Sequence, residues 1–129
     1  MKYKMTEKGF SSDFEYGTLN ISSESEYGFR PFQLLVSSIA GCSGGVLRKV
    51  MKKMRLDVDH IEIEAKVTRS GGQVNIVKKM ELTYVIYGRA LNEEKVKKAL
   101  DVAMKNCAMA QSVKDAIQID KKVRIVPSN

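Results

Sequence analysis

From Pro31 the chain sets apolar residues at Phe32, Leu35, Val36, Ile39, Cys42, Val46, Leu47, Val50 and Met54. This i, i+3, i+4, i+7 spacing is that of a helix with a broad apolar face. Pro31 suits the first turn, where its missing N–H would have had no partner. Arg48, Lys49, Lys52, Lys53 and Arg55 crowd the far end, where cations meet the negative end of the helix dipole. The pattern predicts a helix over 31–54. The period then changes to two. Ile61, Ile63, Ala65 and Val67 point one way, and Glu62, Glu64, Lys66 and Thr68 the other. Ser70-Gly71-Gly72-Gln73 marks a hairpin turn. A return strand follows with Met80, Leu82, Tyr84 and Ile86 on one face, so a hairpin is predicted over 57–88.

Helical spacing returns after Asn92, a capping residue followed by Glu93 and Glu94. The stripe Val96, Ala99, Leu100, Ala103 and Met104 defines a second helix. Asn106 is read as the cap of a further short helix carrying Met109, Val113, Ala116 and Ile117, which places helices over 92–118. A last strand is expected over 119–126, stopped by Pro127. Residues 1–30 read as short strands and turns. Tyr3, Met5 and Phe10 alternate with polar positions, and Ser11-Ser12-Asp13 carries turn chemistry. Phe14, Tyr16 and Thr18 suggest a second strand, and Ile21–Arg30 a third with a loop. Helices do not alternate with every strand, so the class is α+β rather than a doubly wound parallel sheet.

A length of 129 residues fits one domain over 1–129, with a core that needs no disulfide or metal. Two cysteines are too few for a disulfide scaffold, and one histidine with two distant cysteines cannot fill a four-ligand zinc site. No metal is therefore expected. The 22 basic and 15 acidic residues leave a net charge of +7. The cations fall in small clusters at Arg48–Lys53, Lys78–Lys79, Lys95–Lys98 and Lys121–Arg124, so nucleic-acid binding is the minor reading. Met1–Phe10 has no apolar leader core, and the longest uncharged run, Pro31–Leu47, is short and rich in Ser and Gly. No membrane is expected, and a cytoplasmic protein with reduced thiols is. That run is too apolar for one chain of this size to bury all round, which favours a homodimer.

Cys42 lies on the apolar face of the first helix and Cys107 follows the stripe of the second. Each alone suits a buried small hydrophobe. Their separation matches neither a metal clip nor a C-x-x-C motif, but it permits a peroxidatic and a resolving thiol joined by folding. Ser37, Gly41 and Gly45 form a stripe of small residues. Close packing on a sheet or a partner subunit is the favoured reading, and room for a substrate beside the thiol is compatible with it. His60 reads as a surface residue. No dinucleotide, phosphate-loop or zinc-protease motif is present.

The run Pro31-Phe32-Gln33-Leu34-Leu35-Val36-Ser37-Ser38-Ile39-Ala40-Gly41-Cys42 resembles the cysteine helix of the OsmC/Ohr family, and Asn106-Cys107-Ala108-Met109-Ala110-Gln111-Ser112 stands where that family opens a late helix on a second cysteine. The order of elements is similar throughout. The resemblance implies an OsmC-like fold, with antiparallel sheets around central cysteine-bearing helices in an intertwined homodimer. It implies reduction of organic hydroperoxides by Cys42, a disulfide to Cys107, and an external dithiol, lipoyl-type in some members, as reductant. No cofactor is implied.

Three positions depart from the family pattern. The family holds its thiolate with an arginine from the N-terminal sheet, but residues 1–29 contain none, and Arg30 is the nearest candidate. Phe32 and Gln33 stand where the family has a carboxylate, which leaves Gln33 as a neutral binding candidate. Ala108 replaces a proline. A thiol inside an apolar helix is disfavoured as thiolate by desolvation, and Cys42 lies beyond the reach of its own helix dipole. Arg30 or a lysine is then expected to activate it. The alternative is a diverged family member whose pocket binds a small apolar or sulfur-containing ligand without turnover.

Overall fold

The computed structural model describes residues 1–128. They form two compact units, one ending at Ser37 and the other beginning at Ser38. In the first, β1 (Lys4–Met5), β2 (Phe10–Asp13) and β3 (Thr18–Ile21) make an antiparallel sheet in the order β1-β2-β3. Ser11-Ser12-Asp13 is thus strand and not the expected turn, with Ser12 opposite Leu19. Ser12 is buried, and its hydroxyl donates to the Lys2 carbonyl at 2.7 Å. A hydroxyl satisfied by its neighbour strand can face inward, which the turn propensity of serine does not reveal. The turn falls instead at Phe14–Gly17, closed by reciprocal backbone bonds of 3.0 and 3.1 Å, and Tyr16 projects from it fully exposed. The expected strand through Phe14 and Tyr16 therefore begins only at Thr18.

Helix α1 (Pro31–Lys53) opens with the Leu34 N–H donating to the Arg30 carbonyl at 3.1 Å. Beyond Ser37 its inward line is Ile39, Ser43, Leu47 and Met51, each at most 1% exposed and four residues apart. Gly44 lets the helix lie close to a strand: a Cβ there would come within 2.8 Å of Ile63 Cδ1. Gly41 and Gly45, members of the small-residue stripe, face open space among the described residues, and the close approach falls at Gly44, outside that stripe. The helix ends with the Leu56 N–H donating to the Met51 carbonyl and the Arg55 N–H to the Lys52 carbonyl, both at 3.0 Å. Arg55 takes the left-handed conformation, φ 58°, that this termination demands. By length and composition alone α1 is long and apolar enough to cross a membrane, as core helices of soluble proteins also can be, and 28% of its most apolar window is buried within the chain.

The second unit carries β4 (Val58–Arg69), β5 (Val77–Gly88), α2 (Glu93–Lys105), α3 (Ala108–Val113) and β6 (Gln118–Pro127). The hairpin register sets Ile61, Ile63, Ala65 and Val67 against Ile86, Tyr84, Leu82 and Met80, the two apolar faces read from the sequence. β5 is central, and β6 joins it parallel, from Lys79 opposite Gln118 to Gly88 opposite Pro127. An all-antiparallel sheet is thereby corrected. A chain leaving β5 through two helices returns to the end from which it started, and so pairs in the same direction. Pro127 ends an edge strand, where a missing N–H is tolerated. Met80, Leu82, Tyr84 and Ile86 form the floor of the core, and Val96, Ala99, Leu100 and Ala103 of α2 are buried with them.

Candidate thiol site

Asn92 caps α2 as its sequence suggests, accepting from the Lys95 N–H at 3.0 Å. Asn106 does not cap α3. It closes α2 instead, with its side-chain amide donating to the Val102 carbonyl at 2.8 Å. The cap of α3 is Cys107, whose sulfur accepts from the Ala110 N–H at 3.4 Å. Asparagine is the better cap in isolation, but the buried cysteine wins because the α2–α3 elbow turns its side chain inward, with no exposed surface. Gln111 ties the elbow shut by donating to the Met104 carbonyl at 3.0 Å.

This elbow brings the two cysteines together. Cys42 is half-buried, Cys107 buried, and both are reduced. The Met109 N–H, the Cys107 thiol and the Ala108 N–H all donate to the Cys42 sulfur, and together they outweigh its desolvation and hold its pKa below the ordinary thiol value. Cys107 moves the other way. Burial pushes it up, and the neighbouring Cys42 adds to the rise against the pull of the Ala110 N–H. The two thiols are thus shifted in opposite directions.

Cys42 draws its stabilisation as thiolate from close neighbours. The groups favouring its thiolate are two backbone amides and a thiol. Both amides belong to the first turn of α3. Arg30 and Gln33 belong to the first unit. Arg30 is half-buried with its guanidinium 4.8 Å from the centre of the Phe32 ring, and Gln33 is exposed. His60 is exposed as expected, 3.5 Å from Glu62.

Behind the thiols lies a polar contact that the sequence pattern hides. The Ser43 and Tyr84 hydroxyls are 2.6 Å apart and fully buried. Ser43 also lies 3.2 Å from the Ala40 carbonyl, and the Tyr84 oxygen 3.6 Å from Met104 Sδ. Burial pushes the phenol's pKa up, so it stays protonated. Tyr84 reads as one more apolar position on its strand. Only Ser43, a polar residue on an apolar line directly after Cys42, signals that a partner is needed. One helical turn past Cys42, a cleft of about 580 Å³ opens between α1 and α2, lined by Val46, Val50 and Val102 and bounded by Asn106. Among the described residues no cluster of His, Cys, Asp or Glu is gathered for a metal.

Among the described residues, two sheets and three helices define an α+β protein that carries a neighbouring pair of free thiols. Residues 23–122 match the family model described as OsmC-like protein, and the chain belongs to that family. It is 25% identical over 112 residues to the organic hydroperoxide resistance protein OhrB of Bacillus subtilis, covering 87% of this chain and 82% of that one. The crystal structure of a hypothetical protein from Aquifex aeolicus superposes with a TM-score of 0.88 at 23% identity, over 99% of this chain and 96% of that one. An OsmC-like protein from Mycoplasma pneumoniae does so at 0.79 and 15%, over 100% and 99%.

Proposed function

We propose that the protein is a thiol-dependent peroxidase for organic hydroperoxides. The observation that carries this reading is the hydrogen-bonded pair Cys42 and Cys107, with thiolate character directed to the more exposed sulfur. The Cys42 thiolate attacks the outer peroxide oxygen and the O–O bond breaks. The alkoxide takes a proton and leaves as the alcohol, and Cys42 becomes a sulfenic acid. Cys107 then attacks that sulfur, water leaves, and a disulfide forms. An external dithiol restores both thiols and is itself oxidised to a disulfide. The reading includes a homodimer, which would cover the outer face of α1, and a cytoplasmic setting whose reducing poise keeps the resting thiols free. Kinship to a hydroperoxide resistance protein supports the substrate class.

The test is stopped-flow oxidation of the reduced protein by cumene hydroperoxide and by hydrogen peroxide. Faster reaction with the organic oxidant, a disulfide product, and sulfenic acid in Cys107→Ser are expected. Absence of a Cys42 reaction with either oxidant overturns the proposal. A ligand-binding protein without turnover is the second reading, favoured by the cleft beside the pair.

A further inference from the structure

The α2–α3 elbow poses a hydrogen-bonding problem that one side chain resolves. A continuous helix would pair the Ala108 N–H with the Met104 carbonyl and the Met109 N–H with the Lys105 carbonyl, each four residues back. The chain breaks instead after Lys105, and α3 starts afresh at Ala108. The first bond within α3 runs from the Gln111 N–H to the Cys107 carbonyl at 2.9 Å. The amides of Ala108, Met109 and Ala110 have no partner within the helix, as at any helix start. All three go to sulfur, Ala110 to Cys107 and the other two to Cys42. The Met104 carbonyl thereby loses its regular donor, and the Cys107 N–H approaches it only at 3.4 Å. The Gln111 side-chain amide takes the place at 3.0 Å, reaching back across the elbow. Met104 is itself anchored in the core, buried and with its sulfur 3.6 Å from the Tyr84 oxygen.

We propose that Gln111 is a positioning residue for Cys42: by occupying the Met104 carbonyl it keeps α2 and α3 from merging, and so holds the Ala108 and Met109 amides on the sulfur. The strap acts through those amides and not by contact with Cys42. The proposal deepens the peroxidase reading and rests on it for the step served, attack by Cys42. Alanine at 108 is what gives the strap its task. A proline there could not donate to the Met104 carbonyl, and its ring would clash with that carbonyl in a continuous helix. Ala108 bars neither, so a residue elsewhere must hold the two helices apart.

The test is alkylation of Cys42 against pH in the reduced, full-length protein, read by peptide mass spectrometry. Gln111→Met keeps the length of the side chain and removes its donor. Its half-point should move up by about half a pH unit, roughly a threefold change in the thiolate equilibrium. The move should exceed that of Ala108→Pro, which loses one amide rather than two. In the double variant Gln111→Met should add nothing to Ala108→Pro, because proline already prevents the merger. Ser112→Ala deletes a 2.7 Å bond to the Ala108 carbonyl inside α3 and should leave the profile in place. An unmoved profile in Gln111→Met overturns the proposal, as does a shift as large in the double variant as in the single one. So does an equal move in Ser112→Ala, which would mark loss of α3 rather than of the strap. Stopped-flow reaction with cumene hydroperoxide separates the two readings. A moved profile in a protein that consumes no peroxide supports the strap and removes the peroxidase, and an unmoved profile in one that does consume it removes the strap alone.

Discussion

The thiol of Cys107 donates a hydrogen bond to the sulfur of Cys42, and this bond adds to the opposite titration that the Met109 N–H sets for Cys42 and burial sets for Cys107. The donor bond favours the charged form of the acceptor and the neutral form of the donor. Alkylation of the native protein across about pH 5 to 10 should therefore resolve two profiles, with Cys42 reacting half-maximally below the free-thiol value of about 8.5 and Cys107 above it. Peptide mass spectrometry of each site checks this. The stability signs follow. Cys42, depressed on folding, contributes stability present above the unfolded thiol pKa and lost as pH falls through its folded value. Cys107, raised, contributes stability present below the unfolded value and lost as pH rises through its folded one.

Ala108→Pro separates the amides from the helix they begin. Proline is favoured at the first helical position, so α3 should persist. The Ala108 N–H, the weakest of the three donors to Cys42, disappears. A modest upward move of the Cys42 alkylation profile is expected, with a change in stability of less than about 1 kcal/mol. An unmoved profile would remove the amide from the activation of Cys42.

Tyr84→Phe keeps the ring and deletes the oxygen that meets Ser43 and Met104. Ser43 retains only its longer contact to the Ala40 carbonyl. A loss of about 1 to 2 kcal/mol in urea unfolding is expected, the cost of weakening a buried hydrogen-bonded pair. Tyr84→Phe combined with Ser43→Ala should recover part of that loss, because neither partner is then left unsatisfied.

Gly44→Ala and Gly45→Ala should differ in sign within one chain. The methyl at 44 meets Ile63 Cδ1 and must displace it, whereas the methyl at 45 enters open space and gains about 1 kcal/mol of helix propensity. Denaturation at two protein concentrations checks both. In the proposed homodimer a partner packed on that face would turn the gain at 45 into a loss that deepens with dilution.

The long helix, the hairpin and its inward faces were legible because burial imposes a period, and the period is written in the residues. The Ile61–Ile86 and Ala65–Leu82 pairs are direct consequences of it. What periodicity does not carry is direction and second partners. Nothing in the residues from Gln118 to Pro127 says that they run parallel to β5, because that depends on the two helices before them. Ser11-Ser12-Asp13 has turn chemistry, yet a single satisfied hydroxyl turns it into strand. At the site, both cysteines were visible as candidates. The agents of activation were not, because backbone amides have no letter in the sequence and Cys107 is a poor cap by propensity.

The Tyr84 oxygen touches both supports of the thiol pair: Ser43, next to Cys42 on α1, and Met104, three residues before Cys107 on α2. The two sulfurs are therefore located from one common reference atom. Their mutual spacing carries the tolerance of two short links, not the accumulated play of a hairpin and a crossover. Small breathing of the sheet displaces both supports as a pair, so the gap that closes in the proposed disulfide is insulated from motion elsewhere in the unit.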